Sequence, residues 1–226
     1  MKWLYKLDYK YGKYYIHNLM TIIVAGMVVV FLADMFTSAG GFYVSSWLTL
    51  SRYDILRGQV WRLITFIFVP SSHNAISFLL FSYFYWQFGR MLESAWGGFR
   101  FNIYYLIGIL GAIASMFITG GASNYYLNLS VLLALATIAP DMEFRLFFIL
   151  PLKAKWLVIG YAILMGIGLL QSFIFVSVLA GIQSLITLAF SLLNYAIFFG
   201  PTLVSTIKEQ KRIRENRRNW RNNWRS

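Results

Sequence analysis

Between Lys155 and Lys208 the chain contains no Asp, Glu, Lys or Arg, and the same holds between Arg100 and Asp141. A charged side chain at the centre of a bilayer costs about 2.5–3.5 kcal/mol on the insertion scale, so charge-free runs of this length mark segments that sit in lipid. Composition agrees with that reading. Hydrophobic residues make up 59% of the 226 positions and charged ones only 12%, against roughly a quarter charged in soluble domains. The expectation is an all-α membrane protein with a single membrane domain, because backbone polar groups in lipid must be satisfied within each segment.

The breaks in the pattern place the spans. The first runs from Asn18 to Leu32 and ends at Asp34. Thr37 to Gly58, with Gly40-Gly41 and the charges Arg52, Asp54 and Arg57, is too mixed to cross and reads as a long external loop with short interfacial helices. Pro70 with Ser71 and Ser72 interrupts the next apolar run, since proline removes a donor and breaks a helix. The second span is therefore His73 to Glu93. Gly120-Gly121-Ala122-Ser123-Asn124 is a turn that separates a third span, Phe101 to Thr119, from a short fourth, Asn124 to Ala139. Leu146 to Leu152, bracketed by Glu143, Arg145, Lys153 and Lys155, is too short to span as a helix and is expected to form a shallow inner-face hairpin. Trp156 to Leu170 and Val176 to Gly200, around a turn near Gln171-Ser172, complete six spans.

Lys and Arg are distributed unevenly over these connections. With the N-terminus inside, the inner segments hold Lys2, Lys6, Lys10, Lys13, Arg90, Arg100, Arg145, Lys153, Lys155 and eight tail residues, seventeen of the 20, and the outer face holds Arg52, Arg57 and Arg62. The positive-inside bias then predicts both termini in the cytoplasm, which only an even number of spans allows. The expected organisation is an interfacial segment over 1–17, the membrane domain over 18–200 and a basic cytoplasmic tail over 201–226, in a prokaryotic cytoplasmic membrane. No cleavable signal is expected, because the first apolar run follows four lysines and lacks a small-residue cleavage site.

The net charge of +12 raises nucleic acid as a partner, but orientation accounts for most of it. In the tail, Lys208 to Arg225, the apolar residues Ile213, Trp220 and Trp224 fall on one helical face. Trp favours the headgroup zone, so inner-leaflet lipid is the expected partner, not nucleic acid. Trp3, Leu7, Tyr11 and Tyr14 suggest a similar anchor at the N-terminus. Zero cysteines and two histidines, His17 and His73, exclude disulfides, thiolate chemistry and a histidine metal cage, so no cofactor or metal is expected.

Three motifs carry a family resemblance. Leu48 through Phe68, closing on Gly-Gln-Val-Trp-Arg-Leu-Ile-Thr-Phe, resembles the first external loop of rhomboids. Phe88-Gly89-Arg90-Met91-Leu92-Glu93, then Trp96-Gly97 and Arg100-Phe101-Asn102, resembles the passage from the rhomboid second span to the third. Ile149-Leu150-Pro151-Leu152-Lys153-Ala154-Lys155 is similar to the inner-face run before the fifth span. The resemblance implies a six-helix rhomboid-like bundle with a long first external loop. It further implies that Trp61 and Arg62 form a structural motif of that loop and that Glu93 is the acid at the inner end of the second span. Read without the family, Arg62 is an arginine snorkelling to the headgroups, and Glu93 an inner-face carboxylate near Arg90 or Arg100.

The rhomboid reaction uses a serine on the fourth span in a Gly-x-Ser-Gly setting and a histidine on the sixth as general base. Asn128-Leu129-Ser130-Val131 keeps the serine and loses both glycines, and no histidine follows His73. Asn194 stands near the place of the family histidine, but an amide has no useful basicity near neutral pH. Ser77 and Phe81 or Ser82 occupy the second-span positions that would supply oxyanion donors, and His73 precedes them. If the protein were active, Ser130, His73 and Asn194 would be the nearest candidates. The expectation is a catalytically inactive rhomboid-like protein, a pseudoprotease that binds transmembrane client proteins. Two alternatives stand beside it: an intramembrane serine protease with an atypical base, and a small-solute transporter or channel. The latter calls for paired intramembrane charges or a matching half repeat, and neither is visible.

Overall fold

The computed structural model describes residues 2–138, 143–146 and 150–223. Ala139, Asp141, Trp224 and Arg225, to which the sequence reading assigned places, lie outside the described residues. In chain order the helices are α1 (Lys2–Tyr11), α2 (Leu19–Thr37), α3 (Val44–Leu48), α4 (Arg52–Leu56), α5 (Arg62–Thr65), α6 (Ala75–Trp96), α7 (Gly98–Thr119), α8 (Tyr125–Ile138), α9 (Ala154–Gln171) and α10 (Val178–Asn223). Two small antiparallel pairs accompany them. β1 (Leu50–Ser51) pairs with β2 (Gly121–Ala122), and β3 (Glu143–Leu146) pairs with β4 (Leu150–Lys153). The hairpin expected around Leu146–Leu152 is thus built of strands, with Leu146 opposite Leu150 and Glu143 opposite Lys153.

Among the described residues, four helical stretches are long and apolar enough to cross a membrane: Leu19–Gly40, Gly98–Thr119, Val158–Val176 and Val178–Gly200. α6 has the length but carries Ser82, Tyr83, Tyr85, Trp86 and Gln87 in its middle and Arg90 and Glu93 beyond, which dilutes its hydropathy. α8 has 14 residues, about 21 Å at 1.5 Å per residue, against about 30 Å of hydrocarbon.

The first expected boundary is corrected. α2 does not stop before Asp34 but continues through it to Thr37. Asp34 is 3% exposed, and its Oδ1 accepts the Ser45 N–H at 3.0 Å. The carboxylate anchors the start of α3, so its charge does not end the helix. At the C-terminus the helix continues past the end of the sixth expected span. α10 runs unbroken for 46 residues, about 69 Å, through Gly200 and through Pro201, which brings no N–H to the ladder. The apolar stretch within this helix ends at Gly200, where the sixth span was expected to end.

The core is apolar and aromatic. α2 lies on α6 with the Phe31 and Phe78 rings stacked at 4.1 Å, and Gly89 permits the approach, since a Cβ there would run into the Met20 side chain. Trp96 packs on Tyr104, Phe198 and Phe199, joining α6, α7 and α10. Both ends of the bundle are stitched by polar groups. At one end Arg100 pairs with Asp8 at 2.7 Å, Asn102 Nδ2 donates to the Ile16 carbonyl, and the backbone N–H of Asn18, which has a left-handed φ of 53°, donates to Glu93 Oε1. At the other, β1–β2 pairing joins the long loop to the α7–α8 turn, Arg52 Nη1 donates to the Phe117 carbonyl at 2.9 Å, and Asn124 Nδ2 donates to the carbonyls of Ile67 and Val69. Segments assigned to one side of the membrane from charge alone therefore meet at one end of the bundle.

Candidate functional site

α7, α8 and α10 converge on Ser130. It has no exposed surface and Asn194 is 3% exposed. Ser130 Oγ donates to the Leu127 carbonyl of its own helix at 2.7 Å, the back-bonding usual for a helical serine in an apolar setting. Asn194 Nδ2 donates to Ser130 Oγ at 3.3 Å, and Tyr104 OH donates to the Ser130 carbonyl at 2.6 Å. Gly108 makes room, since a Cβ there would lie 3.0 Å from Asn194 Nδ2 and 3.4 Å from Leu127. The two positions singled out on the fourth and sixth expected spans are thus in contact.

Chemically the arrangement has the polarity opposite to nucleophile activation. The serine proton is committed to a carbonyl, and the group facing its oxygen is an N–H donor. Neither end of an amide is basic enough to take a proton near neutral pH. The Asn194 Oδ1 and both polar atoms of Asn128 are buried without a hydrogen-bond partner, as is Ser82 Oγ. On either side of this layer the seam of α10 continues, toward the α7–α8 turn as Thr187 with Ser115 at 3.0 Å and Gln183 with the Thr119 carbonyl at 3.0 Å, and toward the other end as Tyr195 with Thr137 at 2.6 Å. Hydrogen bonds of this kind hold helices together where lipid offers no hydrophobic contrast.

His73 is elsewhere. It precedes α6, its side chain is 63% exposed, and its Nδ1 lies 3.8 Å from Asp34 Oδ2, with the Tyr43 ring 5.0 Å away. Of the second-span positions, Ser77 gives its backbone N–H to the Asn74 side chain as part of the α6 cap, and Phe81 is 38% exposed. Arg62, 5% exposed, gathers the loop: Nη1 donates to the carbonyls of Ser46 and Thr49, both at 2.8 Å, and Nε donates to Gln59 Oε1 at 2.7 Å. Asp54 lies 3.6 Å from Nη2. Trp61 Nε1 donates to the Trp47 carbonyl at 3.3 Å. Arg90 lies over the Trp86 ring at 5.0 Å. Among the described residues no group of three or more His, Asp or Glu could hold a metal ion.

Tyr104, Asn124 and Ser115 were not singled out from sequence. For Tyr104 and Ser115 the signal is spacing: Tyr104, Gly108, Gly111 and Ser115 share one face of α7, two hydroxyls flanking two glycines where a lipid-facing stripe would be aliphatic. These features define a helical protein with membrane-length apolar helices and a buried polar seam. The chain matches no protein-family model and no curated protein.

Proposed function

We propose that this is a catalytically inert, rhomboid-like membrane protein that binds the transmembrane helices of other proteins. The observation that carries it is the Ser130–Asn194 contact. A serine and the residue at the expected base position meet in the bundle interior, yet the partner is an amide donor and the serine proton is held by its own helix. In this reading α2, α6, α7, α8, α9 and α10 serve as six spans, the shorter α8 lying at the centre, and the basic asymmetry sets both termini in the cytoplasm with the tail at anionic inner-leaflet lipid. The polar end-to-end seam supplies a scaffold rigid enough to present a helix-binding face without chemistry.

The test is direct. Purified protein is treated with a fluorophosphonate probe and, separately, with a transmembrane substrate whose helix is weakened by glycines, alongside a Ser130→Ala variant. Loss of a base and of oxyanion donors removes effects of about 10²–10⁴-fold and 10²–10³-fold, so parent and variant should both be unlabelled and inactive. Labelling that disappears in Ser130→Ala would overturn the proposal. Photo-crosslinkers placed along α9 should trap transmembrane proteins in membranes; crosslinks to lipid and to no protein would remove the client-binding half.

A further inference from the structure

An open groove of about 740 Å³ runs along α7 on the side away from the seam, lined by Tyr14 and Ile16 of the α1–α2 connection, by Ile64 of α5, and by Phe99, Ile103 and Leu106 of α7. Phe99 to Ile109 line it, a rise of about 15 Å, half of the roughly 30 Å hydrocarbon core. Ile64 and Ile67 stand at the far end, so the groove has the depth of one leaflet. At the near end the carboxylate of Glu93 accepts the Asn18 N–H, and the charges left without an ion-pair or hydrogen-bond partner among the described residues are basic. Lys6 and Lys10, one turn apart on α1, and Lys13 in the turn before Tyr14 are exposed and in no ion pair among the described residues, while the one acid of this segment, Asp8, is held by Arg100.

We propose that the groove is a binding site for a single anionic phospholipid, its acyl chains against α7 and its phosphate at Lys10 and Lys13. A volume of this size is typical of a ligand pocket, and an apolar slot one leaflet deep with lysines at its mouth fits a lipid rather than a peptide helix, which would need the full thickness. The proposal rests on insertion of the chain in a bilayer and is independent of whether Ser130 is inert.

The experiment is native mass spectrometry of the full chain in mild non-ionic detergent with equal amounts of phosphatidylglycerol and phosphatidylcholine carrying the same acyl chains. The parent should retain one phosphatidylglycerol in preference. Each basic residue near an anionic surface contributes about 1 kcal/mol, so Lys10→Gln with Lys13→Gln should cut the preference about 25-fold. Leu106→Trp, at a half-exposed position, should expel both lipids, with unchanged melting as the control for folding. Ile16→Trp, 55% exposed in the parent, fills the same slot should Leu106→Trp fail that control. Equal retention of the two lipids by the parent, or full retention by a folded groove-filling variant, would overturn the site.

Discussion

Replacing Arg62 by alanine tests whether the long loop between α2 and α6 is held by one buried guanidinium. The side chain makes three donor contacts of 2.7–2.8 Å, two of them to backbone carbonyls of the α3 region. Hydrogen bonds from a charged group contribute about 1.5–3 kcal/mol each, and an orphaned buried carbonyl costs about 1–3 kcal/mol. The terms overlap, because water reaches a loop at the end of a bundle and restores part of what is lost. The Asp54 contact at 3.6 Å adds little, since that carboxylate is partly exposed. The net expectation is a loss of about 3–5 kcal/mol, read as a lower melting point in detergent together with faster amide exchange at Ser46 and Thr49. Arg62→Lys should recover less than half, because an ammonium cannot reproduce the planar fork that meets Ser46, Thr49 and Gln59 together. Unchanged melting and unchanged exchange over residues 46–52 in Arg62→Ala would refute the reasoning.

The chain has no cysteine, so single cysteines report its topology: a membrane-impermeant maleimide applied to intact cells should label Ala39→Cys and not Tyr9→Cys, and the reverse pattern would invert the orientation. Gly108→Ala places a Cβ 3.0 Å from Asn194 Nδ2 and should cost about 1–3 kcal/mol by overpacking, measured by thermal unfolding; a neutral result would show that α7 and α10 can separate freely there. Asp34→Ala orphans the Ser45 N–H and should destabilise by about 1–3 kcal/mol, whereas Asp34→Asn keeps an acceptor and should lose less than half of that, both read by melting and by exchange at Ser45.

Charge-free runs and breaks placed the long helices to within a few residues, because the cost of burying a charge dominates every other local signal in lipid. The rule failed at Asp34 for a physical reason: a carboxylate is tolerated inside a helix when another segment's backbone N–H reaches it, and that segment is not visible in the local pattern. At Gly200 the expected span and the apolar stretch of α10 end together, although the helix itself continues. At the site, Ser130 and Asn194 were picked out by where the resemblance would put a serine and a histidine. Which atom donates to which was not legible, since that depends on the room made by Gly108 on a third helix. Arg62 was legible as a loop residue with a structural alternative, but its partners at Ser46 and Thr49 are set by the path of the loop and not by spacing.

α7 is gripped at both extremities by segments remote in sequence, Asp8 and Ile16 at its start, and at its finish Arg52, whose backbone N–H and side chain donate to the carbonyls of Gly120 and Phe117. Mechanically it is a tie-rod. Tension applied to the first residues of the chain meets the Asp8–Arg100 contact before it reaches α2, passes along α7 and arrives at the loop between α2 and α6, so a pull on the N-terminus loads several helices together and does not peel one away. While those contacts hold, the bundle resists extraction as a unit. Once the first ion pair parts, the Asn102–Ile16 and Glu93–Asn18 contacts take the load before α2 does.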